Sequence, residues 1–378
     1  MVNFADILPT ECTTAILSFL QQHDLLVAMR VCRAWHQVTE PLFYQNLQPQ
    51  TATSMASLLR TLESRPDLIP VIHHLFVTFE NDEIIPGHQA YLLRRLSNLY
   101  SLHLPRWPQD GKLGYFLPSL RQVVLGYKSP MDELRLLWSF PSIESIEACL
   151  DDPICTPDIW PTTKTLTKLK LNRSSISEES LAIILQASPS LKSLHYDHQC
   201  NVAGEKAWHD GNRLRGALYH IRDTLEYLEI RMGLYSPYAE ELIYLNLIPV
   251  QNHIGSLKDF QNLRSLVIPI AALFGWNVEL DHDLTDVFPA SLTHLSLVED
   301  LVMQCTYEWS EQLVLERLGT FLAQMAPQLE LFEFRPDHIF ERWTEELEGS
   351  LRVLCLRDGV RCIIHQDEDV DEDSDEDP

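Results

Sequence analysis

The sequence predicts an α/β chain: a small all-α unit followed by an irregular repeat solenoid with a curved parallel sheet. Three observations carry this. The first fifty residues place apolar side chains at helical spacing. From residue 70 onward one short pattern, apolar-x-x-apolar-x-apolar, returns eleven times. Proline stands just before several copies, where it stops an incoming helix ahead of a strand.

Pro9 suits a first helical turn, where its missing N–H costs nothing. Ile16, Leu17 and Leu20 follow as an apolar stripe, which His23 and Asp24 break. Asp24 is expected to cap the next segment, where Leu25, Ala28, Val31, Cys32, Trp35, Val38 and Leu42 recur at helical spacing. Pro41 is expected to end or kink it. A unit this small buries its apolar side chains poorly on its own. Each large one left wet forfeits about 1.5–3 kcal/mol. Part of its surface is therefore expected to close on something else.

The order of these residues says more than their spacing. Leu8-Pro9, Ile16-Leu17-x-Phe19-Leu20, Asp24-Leu25-Leu26 and Val31-Cys32-Arg33-x-Trp35 together resemble the F-box. That motif opens on Leu-Pro, continues with an Ile-Leu pair and closes on Val-Cys-x-x-Trp. The resemblance implies docking onto the Skp adaptor of a cullin-based, SCF-type ubiquitin ligase. It implies that Leu8, Pro9, Ile16, Leu17, Leu20, Leu25, Val31 and Trp35 carry that contact or shape the unit. The alternative is a plain helical cap, which a solenoid also needs, but a cap has no need of this residue order.

Residues 48–70 are expected to form a linker helix, with Met55, Leu58, Leu59 and Leu62 on one face and Arg65-Pro66 ending it. Its Leu-Leu-Arg-x-Leu and Arg-Pro-x-Leu runs also resemble fungal F-box proteins. The expected divisions are 1–47 for the F-box unit, 48–70 for the linker, 71–365 for the solenoid and 366–378 for an acidic tail.

The eleven copies lie at Ile72/Leu75/Val77, Leu99/Leu102/Leu104, Leu120/Val123/Leu125, Ile143/Ile146, Leu166/Leu169/Leu171, Leu191/Leu194/Tyr196, Leu225/Leu228/Ile230, Leu263/Leu266/Ile268, Leu292/Leu295/Leu297, Leu329/Phe332/Phe334 and Leu351/Leu354/Leu356. Steps of 21 to 29 residues fall in or near the leucine-rich-repeat range, and longer ones imply insertions. One strand and one helix cannot bury an apolar face alone, so copies stack. Side chains alternate along a strand. The outward positions are then Phe76, His103, Val124, Glu147, Lys170, His195, Glu229, Val267, Ser296, Glu333 and Cys355, with Asn172, Asp197, Arg231 and Arg335 one step on. Solenoids bind through such faces, so Phe76, His103, Lys170, His195, Glu229, Arg231, Glu333 and Arg335 are the candidate target contacts.

Composition narrows the partners. The formal net charge is −25; the last thirteen residues hold nine acids and no base, which leaves about −16 on the rest. Nucleic acid and an anionic membrane surface are disfavoured, whereas a basic partner is steered in. No secretory signal is read, and the apolar run Val267 to Trp276 is too short to span a bilayer. A cytoplasmic or nuclear protein with reduced, scattered cysteines is expected. His195-x-x-His198-x-Cys200 has ligand-type residues, but no second pair follows at zinc spacing, so no metal is expected. No cofactor loop, Walker motif, G-x-S-x-G elbow or H-E-x-x-H occurs, so no enzyme is expected. The tail from Gln366 is expected to be disordered, with Ser374 flanked by acids.

The expected function is a substrate-recognition adaptor: the F-box holds the Skp adaptor and the solenoid holds a protein target for ubiquitination. The alternative is a non-degradative F-box and leucine-rich-repeat interaction scaffold.

Overall fold

The structure, a computed structural model, describes residues 8–78, 86–107, 117–151, 160–201, 209–235, 250–275, 287–300, 310–325, 328–336 and 343–365. Of the scattered cysteines, Cys155 and Cys305 lie outside these residues, as does the acidic tail from Gln366. The chain divides into two compact units, residues 1–148 and 149–378.

Three helices open the first unit: α1 (Thr10–Leu17), α2 (Gln22–Ala28) and α3 (Arg33–Gln45). Their stripes meet in a core of Leu17, Leu25 and Ala28, on which Trp35, Val38, Leu42 and Phe43 pack. One local expectation is corrected and one is narrowed. Gln21 is the N-cap of α2, so Asp24 lies in its first turn, where a carboxylate still faces the positive helix end. Pro41 does not end α3, which continues to Gln45. The carbonyl deprived of its partner belongs to Gln37, an exposed residue, so it lies where water can reach it. The long periodic run from Leu25 to Leu42 also hides a break. Cys32 caps α3, its Sγ accepting from Trp35 N–H at 3.5 Å.

α3 leads straight into a two-residue strand, β1 (Asn46–Leu47), which pairs parallel with β2 (His74–Phe76). Between them α4 (Ala52–Ser64) buries Met55, Leu59 and Leu62; Thr51 and Ser54 form a capping box at its start, and Arg65 before Pro66 closes it. The first unit continues with α5 (Pro86–Leu93), β3 (Ser101–Leu104), β4 (Gln122–Pro130), α6 (Met131–Leu134) and β5 (Ser145–Asp151). Its strands lie side by side in chain order.

In the second unit the order is β6 (Lys168–Ser174), α7 (Glu178–Gln186), β7 (Ser193–Asn201), β8 (His209–Asp210), α8 (Gly211–Leu218), β9 (Tyr227–Tyr235), β10 (Val250–Asn252), β11 (Ser265–Pro269), α9 (Ile270–Phe274), β12 (His294–Val298), α10 (Glu311–Met325), β13 (Leu331–Arg335), α11 (Glu345–Arg357) and β14 (Arg361–Ile364). β6, β7, β9, β11, β12, β13 and β14 are neighbours in that sequence, while β8 and β10 pair apart as a two-stranded ribbon. The registers of neighbouring strands are parallel, as expected of a leucine-rich-repeat, solenoid-like α/β fold.

Ten of the eleven pattern copies are strands. The opening apolar residue of each, such as Leu99, Leu120, Ile143, Leu166, Leu191, Leu225, Leu263 and Leu292, is fully buried. A backbone device repeats with them. One carbonyl per turn accepts two successive N–H groups of the next: His73 from Tyr100 and Ser101, Lys192 from Glu226 and Tyr227, Arg264 from Thr293 and His294. This satisfies the backbone donors where the chain enters each strand and pins the register.

The eleventh copy is a correction. Leu351, Leu354 and Leu356 lie in α11, not in a strand. Leu351 and Cys355 are buried and Leu356 is 80% exposed, a helical pattern. The Thr344 cap and the acids Glu345, Glu346 and Glu348 in the first turn favour the helix. Cys355 therefore faces the core, and the strand is β14. Val267 and Ser296 are corrected too: both occupy outward positions yet are buried.

Candidate functional site

Two surfaces arise from these elements, one in each unit. In the N-terminal helices, α1 and α2 each have one face on the small core and little else to cover them. The eight candidate residues split accordingly. Leu17 and Leu25 are core, and Trp35 packs on it. Leu8, Pro9, Ile16, Leu20 and Val31 are exposed. Phe19, Leu26 and Val27 join them; Phe19, within the motif but not among the candidates, is 88% exposed. Seven large apolar side chains between residues 8 and 31 are thus left uncovered. A soluble surface rarely carries so many in so short a segment without a partner. A groove of about 370 Å³ runs between Leu8, Thr13, Trp35, Val38 and Leu42.

The family model described as F-box-like matches residues 5–48. These residues are an F-box-like domain. The match runs one residue past β1, so it includes the first strand of the sheet. No curated protein matches the chain. A leucine-rich-repeat protein of Leptospira interrogans is similar to it at 12% identity, over 81% of this chain and 98% of that one, with a TM-score of 0.22. The repeat architecture behind the F-box rests on the chain's own strand order and pairing.

Further along the first unit, the candidates Phe76 and His103 pair across β2 and β3, ring centroids 3.9 Å apart and edge to face. Burial pulls the His103 imidazole below its usual pKa, against the pull of Glu147. Phe76 remains partly exposed.

In the second unit the outward column reads Lys170, His195, Glu229, Val267, Ser296, Glu333 across β6 to β13. Strand register brings these together as expected, and each charged member is tied to a neighbour. Burial raises the Glu229 pKa, but hydrogen bonds at Oε2 from His195 Nδ1 (2.8 Å) and Tyr227 O–H (2.6 Å) outweigh it and bring the group to about 2. Arg231 holds both oxygens of Asp300 through Nε at 3.0 Å, and Met232 N–H donates to the same carboxylate. Glu333 meets Arg335 at 3.5 Å and His365 at 3.6 Å. Asp300 lies just past β12, where the strand pattern gives no signal.

His195 and His198 sit on opposite faces of β7, since side chains alternate and the two are three residues apart. They share no site. His198 instead joins a buried polar group that the sequence did not reveal: its Nδ1 lies 2.8 Å from the Tyr196 hydroxyl, which also donates to Ile176 C=O. Glu178 and His209 stand 3.2 Å apart beside it. Burial, aided by His209, drives the His198 pKa down to about 3, so that ring is neutral. Among the described residues no group of three or more His, Cys, Asp or Glu is placed to hold a metal ion. No helix among them is long and apolar enough to cross a membrane.

Proposed function

We propose that the protein is a substrate receptor of an SCF-type ubiquitin ligase. Its F-box binds a Skp-type adaptor, and through it a cullin. Its repeats bind a protein target for ubiquitination. The observation that carries this reading is the uncovered apolar set Leu8, Ile16, Phe19, Leu20 and Val31 on an F-box-like domain. Pro9 opens α1 at its N-cap, fixing how Leu8 enters the face. Leu17, Leu25 and Trp35 hold the shape behind it. No residue need perform chemistry in this role. The receptor contributes proximity, raising the effective concentration of a target lysine beside a ubiquitin-charged enzyme.

The repeats suit target binding because their outward columns carry mixed polar, charged and aromatic side chains on a fixed parallel lattice. Capture of a purified Skp-type adaptor tests the reading. The wild-type chain is expected to bind. Leu8→Ala with Pro9→Ala is expected to lose binding while keeping its circular dichroism and melting temperature. Adaptor capture by that folded double variant, or none by the wild type, overturns the proposal.

A further inference from the structure

Resting on the reading of the repeats as a target-binding face, we propose that β9 to β13 take a basic segment of the target. One Lys or Arg side chain sits between Glu229 and Glu333, above Ser296.

The shape of the face comes first. Its two outward columns carry short residues on β11 and β12: Val267 and Ser296 in one, Pro269 and Val298 in the other. On either side β9 and β13 carry long charged ones, Glu229 and Arg231 facing Glu333 and Arg335. Strands about 4.8 Å apart put β9 and β13 roughly 14 Å from one another. The result is a slot with a low floor and tall walls. The charges of Glu333 and Arg335 act on the phenol of Tyr227 on β9, from the far side of the floor. Val267, Ser296 and Val298 on the floor are almost fully buried.

The chemistry of the slot is unfinished. Both bonds to Glu229 fall on Oε2, which leaves Oε1 without a bond among the described residues. The contacts of Glu333 with Arg335 and His365, at 3.5 and 3.6 Å, are longer than a well-formed charge-assisted bond. Ser296 Oγ is buried with no hydrogen-bond partner, and the residue, 5% exposed, stands on β12 between the strands that carry those two carboxylates. A hydroxyl left so is costly unless a partner arrives. Arg231 adds no attraction for an anion, because Asp300 neutralises it.

An ammonium or guanidinium supplies several donors and no acceptor. It can meet Glu229 Oε1, Glu333 and Ser296 Oγ together, displacing the long Glu333–Arg335 contact as it enters. The arriving backbone also brings carbonyls for Arg335 Nε, which is buried without a partner. The net charge of −25 steers such a segment inward.

Three synthetic peptide pools, randomised except for a central Lys, acetyl-Lys or Glu, test this against the full chain by fluorescence anisotropy. The Lys pool is expected to bind about tenfold tighter than the acetyl-Lys pool, with the Glu pool weakest. Glu229→Gln and Glu333→Gln are each expected to remove that preference, and Ser296→Ala to reduce it. Glu346→Gln, the same charge change at an exposed position on α11, is expected to leave it intact. Equal loss in Glu346→Gln assigns the preference to bulk charge and overturns the inference. Equal binding of the Lys and acetyl-Lys pools also overturns it, while the target-binding reading stands. Binding of no pool overturns both. Melting curves confirm that each variant is folded.

Discussion

Ile16 and Leu17 are adjacent in α1 and have opposite duties. Leu17 is 2% exposed in the small core, whereas Ile16 is 56% exposed. Leu17→Ala is expected to cost about 2–5 kcal/mol, the range for a large-to-small change in a packed core, and so to melt the N-terminal helices. Ile16→Asp is expected to leave the melting temperature unchanged and to abolish adaptor capture. One melting curve and one pulldown on each variant separate the roles. Glu229 gives a second prediction. Its folded pKa of about 2 lies below the ordinary carboxylate value. A depressed carboxylate contributes stability that is present above its unfolded pKa and lost as pH falls toward the folded one. The stability gap between wild type and Glu229→Gln, read from urea midpoints, is therefore expected to shrink between about pH 4.5 and pH 2. A gap independent of pH would show that the His195 and Tyr227 bonds do not favour the charged form. At this scale the sequence was half legible. Alternation along a strand gave His195 and Glu229 their correct face. It gave no warning that Val267 and Ser296, on that same face, are buried.

Elements were legible where they are long and periodic. The strand pattern located ten strands, because each needs the same buried positions whatever its insertion length. It failed at Leu351/Leu354/Leu356, where spacings of three and two residues suit either geometry. There the deciding signal was already present, in Thr344 followed by three acids within the first turn. β1, β8 and β10 are two or three residues long, too short to carry a period. Their signals are local instead. Gly211 follows β8, and a Cβ there would strike the backbone of Asn252 and His253. Gly211→Ala is expected to destabilise the second unit by about 1–3 kcal/mol, the usual cost of overpacking, as a lowered urea midpoint. At the other end of the chain, Thr51→Ala removes the cap of α4 and is expected to cost about 1 kcal/mol. No change in the midpoint would mean that α4 is held by Met55, Leu59 and Leu62 alone.

For the whole molecule, charge and apolar surface assign different physics to the two proposed binding events. The F-box face is built from Leu8, Ile16, Phe19 and Val31. Adaptor binding is therefore expected to change little between low and high salt. Binding of a basic target is expected to weaken steeply over the same range as its charges are screened. Measuring both on one preparation is decisive, since a shared salt dependence would deny the division. The β1 strand has a separate consequence for anyone dividing this molecule. Because Asn46 and Leu47 cover one side of β2, a protein begun at residue 48 would present a bare rim of N–H and C=O groups. Such rims recruit strands from other molecules. A truncation meant only to remove the F-box-like helices would thereby create a self-associating protein, and its effects would be those of clumping as much as of the lost domain. Chimaeras that exchange N-terminal domains should be joined beyond Phe76, so that the donor's own strand travels with its helices.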